Sequence, residues 1–485
     1  MIKSICILGG GTSGLVSALI LNKWYPTMNI TIIESSKIGI IGVGEGSTEH
    51  WRAFIENVGI SIKELINETG ATFKTGIKFD NWNGDGQSYM HSLHADHTQL
   101  MANSLPGVLI EMICQGEKQL YPENIGRSVH YMPLDQSVNQ FHFDTFKLNE
   151  FLHKKCKERG VNITVDDIET VEIDNTGFVQ NLINKDGHKY NAEFFVDCSG
   201  FARVISSKLG AKWIDCKDNL PMDRAIAFPT SYTEDIPSHT LSRALSSGWQ
   251  WRIPTQDRYG NGYVYSSAFL TEEQAIAEVQ QYYSDEIKIG KSIKFSAGYV
   301  DKFWIKNCVT LGLAGSFVEP LEASSIGTSI QQSFALGVAL LNWSRDDDTV
   351  ANIYNKEFNE VAKNIIDFVQ LHYITKRNDS EFWRSCKELK LTDFNQRTLE
   401  HFKNNLPTRA YFSKPWTLFS ELNWIQVVAG LELFNLDKIN TMWSSQNPAV
   451  VQETKQILQN LKLQKQYLEF SHRDALQFLA KEIKG

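Results

Sequence analysis

The opening residues place short apolar runs on either side of a glycine-rich turn. Residues 3–8 form an apolar run with two isoleucines, bounded by glycine, a pattern that predicts a buried strand. The turn reads GGGTSG, and the apolar positions of residues 15–24 after it have helical spacing without a breaker. A second apolar run at residues 30–33 predicts another strand. The order strand, glycine turn, helix and strand indicates a nucleotide-binding fold.

The glycines of this turn occupy the G-x-G-x-x-G positions. Glycine there permits positive φ and lets backbone N–H groups approach a pyrophosphate, whose charge then lies at the positive end of the helix. A carboxylate ends the second strand 20 residues after the last glycine, where it would accept from a ribose 2′-hydroxyl. The segment therefore predicts a dinucleotide site for FAD or NAD; the alternative is a glycine-rich turn that binds nothing. The predicted cofactor-binding residues here are Gly9, Gly11, Thr12, Ser13, Gly14 and Glu34.

The remaining pattern predicts a mixed α/β (α+β) chain. Helices are expected at residues 49–58, 61–67, about 105–114 and 146–159, strands across 161–195, and a sheet across 225–300. Residues 71–82 alternate like a single strand, 39–46 are too rich in glycine for regular structure, and 83–140 are expected to be mainly loops. A buried strand at 308–313 precedes a long helix to about 343, beyond which the chain is mostly helical.

We divide the chain accordingly into a nucleotide-binding core, a sheet inserted into it or laid against it, and a helical cap. The core comprises residues 1–82 and 145–343 with the substrate-side sheet at about 215–305, a loop-rich insertion spans 83–144, and the cap spans 344–485.

Composition narrows the class of protein. A net charge of −8 without a long basic cluster gives no reason to expect nucleic acid, and no apolar run reaches transmembrane length. The 7 cysteines are scattered without a C-x-x-C, which predicts a reduced, cytoplasmic protein with neither disulfides nor a cysteine metal site. The 27 Phe, 16 Tyr and 12 Trp suit a pocket for flat aromatic ligands as well as a large core.

Three histidines recur every third residue at His91, His94 and His97. This spacing could suggest metal ligands, but without cysteine or a helix to present them we favour solvent-facing loop histidines and expect no metal site.

The chain has one G-x-G-x-x-G, whereas a reductase with its own stable NAD(P)H site commonly has a second, so we favour FAD alone. The turn at residues 312–315 resembles the strand-loop that meets the flavin in FAD monooxygenases of the hydroxylase type. Together with the glycine turn, GVGEGST at 42–48, FKTGIKFDNW at 73–82, WQWRIP at 249–254, FVEPLEASSIG at 317–327 and HYITKRNDSEFW at 372–383 resemble the flavin-dependent halogenases, typified by the tryptophan halogenases. The similarity covers nearly the whole chain in order, nearest to the freestanding marine-type members.

This resemblance implies a two-chamber reaction. Reduced FAD, delivered by a separate NAD(P)H flavin reductase, reacts with oxygen and a halide ion to give hypohalous acid, which passes through an internal tunnel to a small aromatic substrate. The resemblance implies neither nucleic acid nor membrane as a partner, and it leaves a homo-oligomer open.

The family's catalytic lysine falls on Lys74, which binds the hypohalous acid or becomes an N-haloamine, and its carboxylate falls on Glu322. The residues themselves support a lysine of lowered pKa, because an ammonium between apolar strand residues is desolvated. Lys78 follows the same alternation, so the choice of Lys74 rests on the resemblance. Glu322 has a local rival in Glu319, and a glutamate near a helix start also suits the helix dipole.

The remaining assignments follow the same resemblance. The halide is implied at the amides of Ser324 and Ser325, at the start of a helix suited to anions. Many tryptophan halogenases read S-T-G after the glutamate and this chain reads A-S-S, so chloride, bromide and iodide all stay open. Cofactor contacts are implied for Leu313, Ile326, and for Gly42 and Gly44 in the glycine loop that resembles the strap between the chambers. Trp249 and Trp251 are implied as a wall of the flavin chamber or, alternatively, as plain core aromatics.

The substrate prediction rests on a missing pair of residues. Enzymes of this kind that act on free tryptophan hold it with adjacent tyrosines in the C-terminal helices, whereas residues 422–430 carry Asn423 and Trp424. We therefore expect an indole- or phenol-type arene rather than free tryptophan. An FAD-dependent aromatic hydroxylase and a non-catalytic flavin redox sensor are the alternatives.

Overall fold

The computed structural model describes residues 2–40, 45–92, 105–117, 139–232, 236–406, 411, 417–464 and 471–481. The strands are β1 (Ser4–Leu8), β2 (Asn29–Glu34), β3 (Glu45–Gly46), β4 (Thr72–Phe73), β5 (Gly76–Asp80), β6 (Ser88–Ser92), β7 (Phe141–Phe143), β8 (Asn162–Val165), β9 (Ile168–Ile173), β10 (Val179–Asn184), β11 (Lys189–Asn191), β12 (Phe194–Asp197), β13 (Trp213–Asp215), β14 (Arg224–Thr230), β15 (Thr240–Leu245), β16 (Gly248–Pro254), β17 (Tyr259–Tyr265), β18 (Lys291–Lys294), β19 (Gly298–Val300), β20 (Trp304–Ile305), β21 (Cys308–Thr310) and β22 (Ser316–Phe317).

The helices are α1 (Thr12–Trp24), α2 (His50–Val58), α3 (Ile62–Thr69), α4 (Leu105–Cys114), α5 (Thr145–Glu158), α6 (Glu272–Gln280), α7 (Ser324–Ala339), α8 (Thr349–Leu371), α9 (Glu381–Ser385), α10 (Asp393–Asn404), α11 (Glu421–Gly430), α12 (Leu436–Ser444), α13 (Pro448–Gln464) and α14 (His472–Lys481). Short 3₁₀ turns at Gly312–Ala314 and Pro320–Glu322 lead into α7.

The nucleotide-binding core is a six-stranded sheet in the order β20-β21-β12-β1-β2-β8. β1 pairs in parallel with both β12 and β2, as the strand, glycine turn, helix and strand pattern predicts. α1 is buried along most of its length, and α7 packs against it. Two hydrogen bonds between hydroxyl groups join the helices, from Ser13 to Ser329 at 2.8 Å and from Ser17 to Ser333 at 2.7 Å. The predicted α/β class and FAD-binding type of fold are confirmed.

The second large sheet has seven strands in the order β18-β14-β17-β16-β15-β5-β6. Strand β16, at the centre of this sheet, contains WQWRIP. Residues 225–300, predicted to form a sheet, also include the helix α6. Residues 71–92 complete its far edge through β5 and β6. The boundaries of the domains stay a prediction, but the sheet reaches beyond residues 215–305.

Three local expectations were wrong. Residues 71–82 form two strands rather than one, because β4 pairs with β7 in a small sheet while β5 joins the large one. Residues 83–140, expected to be mainly loops, contribute β6. Glu45 and Gly46, expected to be irregular, pair with β7 as β3. Such short strands depend on distant partners and leave no periodic pattern in the sequence.

The C-terminal region is helical from α8 to α14, as predicted, within the part of the chain that the structure describes. The end of α8 and the start of α11 reach the second sheet, where His91 of β6 meets Asn423 of α11. None of the helices in the described ranges combines the length and apolar character needed to cross a membrane.

Candidate active site

The three motif glycines of the β1–α1 turn have different physical roles. Gly9 has a φ of 123°, and a methyl group there would lie 2.2 Å from the carbonyl oxygen of Cys198. A methyl group at Gly14 would lie 2.0 Å from the carbonyl oxygen of Gly9, whereas one at Gly11 would meet no atom within 4 Å. Gly9 and Gly14 are therefore required for the turn itself, and Gly11 leaves its backbone open to a ligand. This is the arrangement that a dinucleotide diphosphate needs.

The helix N-terminus behind this turn is available to an anion. No side chain in the described ranges caps α1, which begins at Thr12, so its first N–H groups lack a side-chain acceptor. Glu34 ends β2 as predicted, with Oε2 3.1 Å from Nε2 of His153. These residues fit the diphosphate of FAD, and the role of Glu34 at a ribose stays a prediction. Ser13 instead directs its hydroxyl to Ser329, so its side chain holds α7.

One cavity lies between the Gly312–Ala314 turn and the start of α7. Its lining includes Gly312, Ser316, Ser324, Ser325 and Thr328. Leu313 lies in the same turn and is half-buried, while Ile326 is buried in the first turn of α7. The residues predicted to meet the flavin and the halide thus come together from two segments. Gly42, Gly44, His94 and His97 lie outside the described residues.

The start of α7 is strained and uncapped. Ala323 has a φ of 53°, a left-handed conformation that costs a residue with a Cβ about 1 kcal/mol or more. It turns the chain between Glu322 and Ser324, and no side chain in the described part of the protein caps the helix. The first N–H groups of α7, including those of Ser324 and Ser325, therefore present the positive end of the helix without an internal acceptor.

Lys74 is buried where the chain leaves β4 for β5, and only 2% of it is exposed. Its Nζ donates to the carbonyl oxygen of Ser47 at 2.9 Å. Burial lowers the pKa of Lys74 to about 8, against the opposing charges of Glu322 and Glu49, so the predicted direction is confirmed. Lys78 is only partly buried in β5, so the structure separates two lysines that the pattern could not.

The carboxylate of Glu322 lies between two buried histidines. Nδ1 of His91 is 2.9 Å from its Oε2, and Nε2 of His372 is 2.8 Å from its Oε1, the latter as an ion pair without an aligned N–H. Burial raises the pKa of Glu322, but the two histidines outweigh it and bring the pKa down to about 2. The carboxylate therefore stays ionised.

The hydrogen-bond network assigns the protons on both rings. Ser420 donates to Oδ1 of Asn423, so Nδ2 of Asn423 donates to Nε2 of His91 at 3.0 Å, and Nδ1 of His91 donates to Oε2 of Glu322. Nδ1 of His372 donates to the carbonyl oxygen of Phe368 at 2.9 Å. Its Nε2 faces the carboxylate of Glu322 at 2.8 Å.

Glu319 is a second buried carboxyl group, and its surroundings differ from those of Glu322. Its Oε1 accepts from Nε1 of Trp249 at 3.0 Å and from the hydroxyl of Tyr373. The opposing charge that acts on Lys74 is that of Glu322 rather than Glu319. Trp249 is thus tied to a carboxyl group, whereas Trp251 packs over Gly262, where a methyl group would lie 2.0 Å from its ring.

Sequence reasoning missed three of these residues and misjudged a fourth. The expectation of a solvent-facing loop was wrong for His91, which is fully buried in β6. His372 and Tyr373 lie in HYITKRNDSEFW, so the resemblance identifies the segment but not the roles of these two residues. Asn423 enters the sequence analysis only as a residue found where a tyrosine pair is expected. The missing signal was β6 itself, since MHS alone shows no strand periodicity.

A strap of main chain connects Lys74 with α7. Besides the bond from Lys74 to Ser47, Gly46 lies so close that a methyl group there would be 3.3 Å from Nζ of Lys74. Thr48 meets Gly327 of α7, where a methyl group would be 2.2 Å from its hydroxyl oxygen. The lysine and the helix that presents Ser324 and Ser325 are therefore held by one short segment.

The fold and the sequence both have well-defined relatives. A family model described as tryptophan halogenase matches residues 4–441. Tryptophan 7-halogenase RebH of Lentzea aerocolonigenes is 31% identical over 479 residues, covering 89% of this chain and 90% of that protein. Tryptophan 7-halogenase KtzQ of Kutzneria sp. (strain 744) is 30% identical over 441 residues, covering 84% and 82%.

Solved structures agree over the full length. The tryptophan halogenase from Shewanella frigidimarina superposes with a TM-score of 0.85 at 26% identity and covers 99% of this chain and 98% of its own. BrvH, a flavin-dependent halogenase from Brevundimonas sp. BAL3, gives a TM-score of 0.83 at 26% identity and covers 99% of each chain.

We predict that Gly11→Ala weakens binding of oxidised FAD at least about 10-fold without destabilising the fold, because the methyl group occupies only space that the diphosphate needs. Flavin titration and urea denaturation measure the two effects. Gly14→Ala should lower stability as well, and Gly290→Ala, in ordinary contact with its neighbour, is the matched control. Unchanged FAD affinity in Gly11→Ala would contradict the assignment.

We predict that Lys74→Met is more stable than the wild type near neutral pH by about 1–2 kcal/mol, because it removes a buried charge at the cost of one hydrogen bond. The folded-state pKa of about 8 lies below the ordinary lysine pKa of 10.5, so the unfolded chain holds this proton more tightly and wild-type stability rises between these pH values. The gap should close over that range in urea denaturation. Lys78→Met is the control, and a gap independent of pH would refute the cause.

Proposed function

The chain belongs to the tryptophan halogenase family of flavin-dependent enzymes, and we propose that this member halogenates an electron-rich arene at a centre formed by Lys74 and Glu322. Members of the family are halogenating enzymes that use reduced FAD and a halide and receive the flavin from a separate reductase. Bound reduced FAD, with oxygen and halide, supplies hypohalous acid. The residues of the β1–α1 turn would hold the cofactor, with Leu313 and Ile326 beside it.

The observation that carries the proposal is the burial of the Lys74 ammonium beside an ionised Glu322. A buried ammonium is costly, and such groups with perturbed pKa values cluster at functional sites. A flavin hydroxylase that oxygenates its substrate directly has no use for this lysine. A redox sensor has no use for either charge.

In the proposed step Lys74 donates a proton from Nζ to the oxygen of hypohalous acid, while its bond to Ser47 aims the ammonium. The arene attacks the halogen, so a carbon–halogen bond forms as the oxygen–halogen bond breaks. The departing hydroxide takes the Lys74 proton and becomes water. The ring then loses its proton to Glu322, and return of that proton to Lys74 restores both groups.

Glu322 suits the part of proton acceptor because its position is controlled from both sides. His91 and His372 hold the two oxygens, so the carboxylate cannot turn freely. Addition of the halogen leaves the ring positively charged for a short time, and the same carboxylate stabilises that charge.

We further propose that the halide binds at the N–H groups of Ser324 and Ser325. The uncapped start of α7 supports this site, since backbone N–H groups hold an anion without the strong cation that would suppress its nucleophilicity. Trp249 and Trp251 would line the flavin chamber. Since Trp249 donates to Glu319, its ring orientation is defined by a hydrogen bond as well as by packing.

The proposed substrate is an indole- or phenol-type arene rather than free tryptophan. Asn423 is occupied by Ser420 and His91, and Trp424 is fully buried against Phe368 and Phe394. Neither side chain is therefore available to hold an amino acid carboxylate or ammonium. An arene held by stacking and shape needs no such group.

We predict that the wild type halogenates members of a panel of indoles and phenols, and that Lys74→Ala lowers the rate by at least about 100-fold because the proton donor to the leaving oxygen is lost. Mass spectrometry would measure product with FAD, a flavin reductase, NADH and oxygen, separately in chloride, bromide and iodide. Free tryptophan in the panel tests the substrate class.

Lys78→Ala is the matched control for this assay, because it removes a lysine of the same segment and should retain activity. Hydroxylated product without halide would favour the hydroxylase alternative. Tight FAD binding without turnover, in both the wild type and Lys74→Ala, would favour a redox sensor. Efficient chlorination of free tryptophan would overturn the substrate proposal alone.

A further inference from the structure

Glu319 is a buried carboxyl group that the proposed reaction does not use. Only 1% of it is exposed, and two donors converge on one of its oxygens: Nε1 of Trp249 and the hydroxyl of Tyr373 both bond to Oε1. The other oxygen, Oε2, is buried and has no hydrogen-bond partner among the residues that the structure describes. This asymmetry is unusual for a charged carboxylate, which spreads its charge over two oxygens and needs hydrogen-bond donors at both.

No Lys, Arg or His of the described residues forms an ion pair with Glu319, in contrast to Glu322. The titratable groups that face it are Tyr373 and Cys386, neither of which is cationic. A buried, unpaired charge costs far more than a buried neutral carboxyl group. The lack of a cation therefore favours a neutral Glu319, in which Oε1 is the carbonyl oxygen that accepts from both donors.

The two carboxyl groups are linked by a pair of consecutive residues after the end of α8. His372 contacts Glu322, and the next residue, Tyr373, donates to Glu319. Glu319 and Glu322 lie three residues apart across the Pro320–Glu322 turn. Each segment thus contributes two side chains, and a shift of Tyr373 would carry the backbone of His372 with it.

We propose that Glu319 is a positioning residue that works as an uncharged carboxyl group, holding the indole of Trp249 and, through Tyr373, the imidazole of His372 against Glu322. The inference rests on the proposed halogenase reaction. The neutral Glu319 holds these side chains in place. It adds no second negative charge to a site that already contains Glu322, His372 and Lys74.

The ionisation of Glu319 should therefore disturb the site. Burial raises the pKa of Glu319 to about 7, against the hydrogen bonds from Tyr373 and Trp249 that lower it. As the pH rises through this value, a second carboxylate forms three residues from Glu322 and adds a second negative charge to the site. Halogenation should decline there, before Lys74 loses its own proton at about pH 8.

The test compares Glu319→Gln with the wild type, because glutamine keeps the acceptor for both donors and cannot ionise. We predict that Glu319→Gln retains halogenation near pH 6 within about 3-fold. The midpoint of the alkaline decline should move up by about one pH unit, because ionisation of Lys74 rather than of Glu319 then sets it. Loss of halogenation at every pH, or an unmoved midpoint, would overturn the proposal.

A second readout needs no turnover and so separates this inference from the proposed function. Infrared difference spectra of the flavin-free protein between about pH 6 and about pH 9 should show a protonated-carboxyl C=O band that disappears with rising pH and is missing in Glu319→Gln. If the wild type lacks this band, the proposal fails even if the enzyme is a halogenase. If the band is present and no arene is halogenated, only the proposed function fails.

Tyr373→Phe provides an assignment that does not depend on Glu319→Gln folding. Removing the hydroxyl takes one hydrogen bond from the carbonyl oxygen, so the band should shift to higher frequency and kcat should fall about 10-fold with little change in KM. Tyr354→Phe removes another buried hydroxyl, which donates to the carbonyl oxygen of Gln332 at 3.1 Å, and should change neither. An unshifted band in Tyr373→Phe would overturn the assignment.

Discussion

An ammonium, a carboxylate and two imidazole rings lie together in a core of aromatic side chains, and their mutual pairing is the constraint on which the site depends. The ring of His372 lies 4.8 Å from that of Phe79, and the ring of His91 lies 5.5 Å from that of Phe368. In such surroundings a charge without a partner is costly, so each group is held by another. Lys74 forms no direct ion pair with a carboxylate of the described ranges. It is balanced by the field of Glu322 and by one carbonyl oxygen.

This pairing requires several separate segments to meet. Lys74 lies between the small sheet and the seven-stranded sheet, His91 is in β6, Glu322 precedes α7, and His372 follows α8. Because α7 also packs along α1, the helix that begins at the cofactor turn is rigidly connected to the helix that begins beside Glu322. The glycine turn proposed to hold the cofactor and the charged cluster are thus joined through one packed pair of helices.

The two carboxyl groups of the P-L-E turn show how burial assigns different chemistry to the same residue type. Glu322, between two histidines, has its pKa lowered to about 2, while Glu319, between two neutral donors, has its pKa raised to about 7. The physical difference is the charge of the partners, since both groups are equally buried. One is therefore suited to accept a proton and the other to hold its neighbours in place.

The sequence by itself determined the nucleotide-binding core, the sites of the glycines and Glu34, and the family, because a turn that needs glycine and a buried strand leave local patterns. It also predicted the lowered pKa of a lysine in an apolar segment. It could not choose between Lys74 and Lys78 or between Glu319 and Glu322 without the resemblance, and it wrongly left His91 in solvent. Those choices depend on which side chains meet across β6, α7, α8 and α11, and only the tertiary structure decides them, because burial and charge pairing arise between residues hundreds of positions apart.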